Sequence, residues 1–322
     1  MPPQPHRPKL LAWQVFRGSD VIRHGLLTAH QLRSSAWVRV RHDVYADARL
    51  DRDHALACRA ATLQLPPDAL IAGPSSAYLH GVEHAADFTD EVHVLAPRPA
   101  GLRSQHGLRV HSTLLALPPA AQGAAGLVAP DPTRQLPADG LPVLAAGTPL
   151  RTGPTAAAWE TAVWLEPIRA IGIVDALLGR GLTTPAALAE IARRNADRPG
   201  GRRARWVFGL ADAGAGSPAE SALRVRLVLA GLPRPAAQPP VRLPSGLVLH
   251  PDLAWPAFRV AVEYDGHWHA DPDQLHRDRR RLNQLVTAGW VVLHVTSRRF
   301  RHEFPAVVRE IRAALTSRGW RP

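Results

Sequence analysis

The stretch Pro251–His269, PDLAWPAFRVAVEYDGHWH, constrains the chain more than any other. Around a turn at Trp255-Pro256-Ala257-Phe258 its residues alternate with a period of two. This predicts two β-strands, Val248 to Ala254 and Arg259 to Asp265. On the second strand Val260, Val262 and Tyr264 share one face, and Ala261, Glu263 and Asp265 share the other. Glu263 and Asp265 then project together, ~7 Å apart along the strand, and Asp252 on the neighbouring strand can face the same point. Singly, each acid reads as an ordinary solvent-facing residue, and Asp265-Gly266 as a turn signal. On strands apolar enough to be buried, three converging carboxylates repel one another unless shared protons or a divalent cation sit between them.

A chain of 322 residues has room for two or three domains. Its formal charge is +12, and Lys9 is the only lysine, so the rest of its 39 basic residues are arginine. With a pI near 11.3, the balance favours a polyanion as partner, nucleic acid first. Abundant Ala, Arg, Pro and Gly also fits a GC-rich coding sequence, which dilutes the meaning of arginine alone. A single cysteine, Cys58, excludes intramolecular disulfides and cysteine-based zinc sites, and its Ala-rich surroundings suit a core position. The N-terminal MPPQPHRPK lacks the apolar segment of a signal peptide, and no run of eighteen apolar residues occurs. A cytoplasmic protein with no membrane partner is expected.

In chain order, a Pro-rich start leads into WQVFRGSDVIRHGLLTAHQLRSSAWVRVRHDVYA. Ser19 can cap a short helix through His24, Thr28 a second one over Ala29 to Ser34, and Trp37 to Tyr45 reads as a basic hairpin turning at His42-Asp43. The pattern Gly25, Leu27-Thr28, Leu32-Arg33, Trp37-Val38-Arg39-Val40 and Asp43-Val44-Tyr45 resembles the N-terminal winged-helix domain of abortive-infection type IV antitoxins. That resemblance implies DNA binding, with Arg33, Arg39 and Arg41 as phosphate contacts, and a toxin as a second partner. The expected organisation is a winged-helix-like domain over 10–97, a Pro/Gly-rich connecting region over 98–153, a helical region over 154–214 and a final domain over 217–316. Within these, 51–65 reads as a helix, and Leu108 to Leu115 as a strand.

The last domain opens on Ser217-Pro218-x-Glu220, a capping box that starts a helix. Strands at Val241 to Leu243, Val248 to Ala254 and Arg259 to Asp265 follow. Then come a helix from Gln274 to Ala288, a strand at Val291 to Val295 and a helix from Pro305 to Thr316. This order, with Ser217-Pro218-x-Glu220-Ser221, Leu223-Arg224, Gly231-Leu232-Pro233, Pro251-Asp252, Glu263-Tyr264-Asp265-Gly266, Trp268-His269, Asp278-Arg279-x-Arg281 and Gly289-Trp290-x-Val292, resembles very-short-patch repair endonucleases. These belong to the restriction-endonuclease-like PD-(D/E)XK superfamily. The expected class is therefore α/β (α+β), a mixed sheet with flanking helices.

The resemblance implies phosphodiester hydrolysis of DNA, by an endonuclease or nickase. Asp252 and Glu263 match the two acidic positions and would hold Mg²⁺ or Mn²⁺. Asp265 stands where the motif has its lysine, so it becomes a third ligand or a partner for His269. His269 is the best substitute for the missing base. Glu220 matches an acidic helix position of such sites, although capping accounts for it without catalysis. Arg277, Arg279, Arg280 and Arg281 at a helix start, and Arg298 and Arg299 after the last strand, can clamp the DNA backbone, with Trp268 against a base. Two further readings stand beside this one. One is a catalytically inactive, antitoxin-like DNA-binding transcriptional regulator on the same fold; the other is a structural or toxin-binding adaptor.

Overall fold

The computed structural model describes residues 5–113, 144–145, 149–244, 246–266 and 283–321. The protein is mixed α/β with several small sheets, and it divides into two units, one ending at Trp164 and one beginning at Leu165. Among the described residues, no helix is long and apolar enough to cross a membrane.

The first unit begins with an antiparallel sheet built from β1 (Val15–Arg17), β2 (Trp37–Arg41), β3 (Val44–Asp47) and β7 (Leu144–Ala145), in the order β2-β3-β1-β7. The β2–β3 hairpin turns at His42-Asp43, where Asp43 takes φ +56°, a left-handed conformation that Asp tolerates. Helix α1 (Gly18–Arg23) precedes the hairpin. The helix expected over Ala29 to Ser34 is instead a single 3-10 turn, Gln31–Arg33. Thr28 and Gln31 cap that turn reciprocally, at 2.8 and 3.2 Å. Ser34 and Ser35 disfavour a continuing helix, and the chain goes directly into β2.

A second sheet of the same unit joins β4 (Leu70–Ile71), β5 (Val92–Pro97) and β6 (Leu108–Thr113), with β5 and β6 parallel. Around it lie α2 (His54–Thr62), α3 (Gly73–Leu79) and α4 (Pro154–Trp164). The stretch 98–153, expected to connect and to hold a strand over Leu108 to Leu115, supplies β6 and β7 and a strap along β4: Ile71 donates its N–H to Leu150 O, and Thr152 donates to Ile71 O, both at 2.9 Å. Beneath α3, Glu160 is buried, and its Oε2 accepts the Gly73 N–H at 2.7 Å and the Thr152 hydroxyl at 2.8 Å. Gly73 has φ +53°, and a Cβ there would lie 2.7 Å from the Trp164 ring, so only glycine fits.

Burial pushes the Glu160 carboxyl from its ordinary 4.5 up to about 7. A carboxyl with a raised folded pKa binds more protons folded than unfolded, so it costs stability as pH rises from about 4.5 to 7. Buried His54 and half-buried His80 and His111 have lowered pKa values and act in the opposite sense. The Glu160 contribution is therefore read as the stability difference between the parent and Glu160→Gln in urea melts. That difference is expected to shift against the parent by about 2 to 3 kcal/mol between pH 5 and pH 8. A difference that does not change with pH would refute it.

The second unit starts with α5 (Pro167–Gly179), α6 (Pro185–Arg194) and α7 (Gly201–Leu210), followed by α8 (Pro218–Leu229). Helices α5, α6 and α8 begin with a proline behind a capping side chain, from Glu166, Thr184 and Ser217. The main sheet runs β13-β12-β11-β8, from β8 (Ala236–Ala237), β11 (Leu253–Trp255), β12 (Val260–Asp265) and β13 (Val291–Thr296). Strands β11 and β12 are antiparallel, and β12 and β13 are parallel. The single strand expected over Val248 to Ala254 is two. Val248–Leu249 (β10) pairs with Val241–Arg242 (β9) in a separate ribbon, and only Leu253–Trp255 enters the main sheet. Pro251 has no N–H to offer a ladder, and it breaks the strand there. Of the helix expected from Gln274 to Ala288, residues 283–287 are helical (α9) and 274–282 lie outside the described residues. Helices α10 (Ser297–His302) and α11 (Phe304–Ser317) complete the unit.

The two faces of the main sheet differ. Leu253, Trp255, Val260, Val262 and Val295 form one core with Leu223 and Leu227 of α8 and Val307, Ile311 and Leu315 of α11. The opposite face carries small Ala254 and Ala261, packed with the β9–β10 ribbon residues Val241 and Leu249 and with Leu285 and Trp290.

Candidate active site and nucleic-acid contacts

Along β12 the second face runs from Ala261 through Glu263 to Asp265. Its burial declines in that order: Ala261 is inaccessible, Glu263 retains 9% exposure and Asp265 is exposed. The ladder pairs Leu253 with Val262 and Ala254 with Ala261, so its continuation sets Asp252 opposite Glu263. Side chains directly opposite in an antiparallel pair share a face. Asp252 is held there by its Oδ2, which accepts the Tyr264 backbone N–H at 2.8 Å. On the other side, the parallel ladder pairs Glu263 with His294 and Asp265 with Thr296. His294 is thus a neighbour of both acids, and its Nδ1 lies 3.1 Å from Asp265 Oδ2. Among the described residues, no three His, Cys, Asp or Glu side chains gather as a metal-holding group. His269, Trp268, Arg277, Arg279, Arg280 and Arg281 lie outside the described residues.

Glu220 is buried at the start of α8. Its N–H donates to Ser217 Oγ at 3.2 Å, while its Oε2 accepts from the Gly216 N–H at 2.9 Å and from Gln238 Nε2 at 3.1 Å. Gln238, at φ +42°, gives its own N–H to Asp252 O at 3.0 Å. Glu220 is therefore tied to Asp252 through Gln238, in addition to capping the helix. Reading the sequence missed Gln238, because PAAQPP looks like plain loop. It also missed His294, whose one signal was a lone polar side chain in the apolar strand VVLHV.

A third omission lies deeper. Arg224 and Asp175 are both inaccessible, and they join α8 to α5 through a 2.6 Å contact. Asp175 also accepts from Ser221 Oγ and from the Asp212 N–H, both at 2.7 Å, and Arg224 donates to Leu210 O. Burial holds the Asp175 carboxyl above its usual range, against the pull of Arg224.

The arginines expected at nucleic acid separate into exposed and more enclosed ones, and of the exposed ones Arg39 donates its Nε–H to Arg41 O at 3.3 Å. Arg33, Arg39 and Arg298 are exposed. Arg41 is not, because its guanidinium donates to Gly107 O at 3.0 Å, His106 O at 3.4 Å and Gln64 Oε1 at 3.2 Å. It ties the hairpin to the turn before β6. Arg299 is also engaged, with Glu310 at 2.5 Å and Glu303 at 3.6 Å. Apart from Glu303, four residues on from Arg299, these partners lie close in space but not in the adjoining sequence.

Set beside known proteins, the chain is similar to uncharacterized protein MT2308 of Mycobacterium tuberculosis strain CDC 1551 and to uncharacterized protein Rv2248 of strain H37Rv. Identity with each is 35% over 150 residues, which cover 45% of this chain and 54% of the relative. The chain thus spans about half the length of the curated relatives it matches. No family model matches the chain, and no solved structure matches it.

Proposed function

We propose that the protein binds DNA and that its second unit is a metal-dependent phosphodiesterase, an endonuclease or nickase of the restriction-endonuclease-like class. The feature that supports this reading is the placement of Asp252, Glu263 and Asp265 on one face of a mixed sheet, where apolar cover gives way to exposure. The helix α8, antiparallel β11–β12, parallel β13 and helix α11 support the same fold class. The donors suit Mg²⁺ or Mn²⁺, since Asp252 and Glu263 offer the hard oxygens that such cations take. Such a cation polarises a phosphate and acidifies a water when bound. The chain's own part is to fix the Asp252 carboxylate through the Tyr264 N–H and its backbone carbonyl through the Gln238 N–H, and to set Asp265 against His294. His269 is proposed to take the proton from the attacking water, since Asp265 stands where the motif has its lysine.

Purified protein incubated with supercoiled, linear, mismatched and single-stranded DNA tests this directly. Cleavage that needs Mg²⁺ or Mn²⁺ and stops with chelator is expected. The missing motif lysine favours one other reading, an antitoxin-like regulator that binds without cutting. Salt-sensitive binding with no cleavage under any metal would favour it.

A further inference from the structure

A groove of about 670 Å³ opens in the first unit between α1, the 3-10 turn and the β2–β3 hairpin. Its size lies within the roughly 300–1,000 Å³ of small-molecule sites. Arg33 and Arg39 line it, both are exposed, and neither pairs with a carboxylate among the described residues. The one acid in its wall, Asp43, is occupied: Oδ1 accepts the Ser19 N–H at 2.8 Å, and Oδ2 accepts the Ser19 hydroxyl at 2.6 Å with Arg17 at 3.5 Å. The local field is therefore positive. Trp37 also lines the groove, is 6% exposed, and holds an indole N–H that meets no acceptor. Tyr45 and Ile22, the latter 42% exposed, give the groove an apolar surface beside its cations. The Tyr45 ring is held in place against Gly18, where a Cβ would come within 2.7 Å of it.

From these features we infer that the groove binds a nucleoside phosphate. The phosphate lies on Arg33 and Arg39, and the base lies against Tyr45 and Ile22. The inference rests on the proposal that this unit contacts DNA, and it specifies the form of DNA. A major groove is read by a helix or a ribbon laid along it, but α1 has six residues and the 3-10 turn three, and Arg41 of the β2–β3 ribbon is taken up by Gly107 O, His106 O and Gln64. Bases in a duplex keep their faces stacked, whereas a single strand offers a ring face and a phosphate together. The same chemistry also comes from a free nucleotide.

The test uses the full chain in chelator, so that no cleavage intervenes, and follows the anisotropy of a labelled oligothymidine, with blunt duplex and thymidine monophosphate as competitors. Single strand is expected to bind more tightly than duplex. Ile22→Glu, at an exposed position the fold does not depend on, is expected to weaken single-strand binding at least tenfold, and so is the double variant Arg33→Ala with Arg39→Ala. Competition by thymidine monophosphate would assign the groove to free nucleotides as well. Variant-sensitive strand binding without that competition would assign it to strands alone. If Ile22→Glu changes neither strand nor nucleotide binding, the inference is overturned, and duplex binding that persists would leave the DNA-binding proposal standing.

Discussion

Replacing Glu263 by Gln is expected to abolish DNA cleavage while leaving the fold in place. The side chain keeps its shape and loses the charge that would hold a cation, and a metal ion contributes several kcal/mol to phosphodiester hydrolysis. At about 1.4 kcal/mol per tenfold, that corresponds to a loss of about 10³-fold. Asp252→Asn is expected to behave alike, and since an amide oxygen still accepts from the Tyr264 N–H, its β11–β12 anchor survives. His269→Ala should cost about 10²-fold or more if it takes the water proton. Near-parental cleavage by His269→Ala, with none by Asp265→Asn, would move the proton step to Asp265 and His294. Circular dichroism and a thermal melt on each variant separate lost chemistry from lost structure.

Arg224→Met is expected to cost the second unit about 3–5 kcal/mol, because it strands a carboxylate that water cannot reach. Asp175 would keep Ser221 and the Asp212 N–H but no counter-charge. Removing both partners, with Asp175→Leu and Arg224→Met, is expected to cost less than the single change, since it replaces an ion pair by apolar packing. Urea unfolding measures both. A double variant less stable than Arg224→Met would mean that the geometry of the network, rather than its charge balance, holds α5 to α8.

What could be read in advance follows from how far apart the partners lie. The alternation of Val260 to Asp265, the capping box at Ser217 and the amphipathic α11 are local patterns, and they predict local structure. The shared face of Glu263 and Asp265 came from the same two-residue period. Arg224 was opaque because its partner lies 49 residues away, and SALRVRL looks like any basic helix. The contacts of Arg41 are hidden for a similar reason, since two of its acceptors are carbonyls 65 and 66 residues further on. Helical propensity at Ala29 to Ser34 was overridden by the short distance to β2.

The strap from Leu150 to Thr152 along β4 also bears on how the first unit acquires its structure. The Gly73 N–H finds Glu160 only 87 positions later, and Ser76 finds Thr152 O 76 positions later. Closing loops of that size pays chain entropy before any contact rewards it, and it slows folding. During synthesis, then, a nascent chain that has emerged only to residue 97 holds the hairpin and α3 but lacks what satisfies the start of α3. It is a fragment waiting for its last helix, and an excised 10–97 piece would remain in that state.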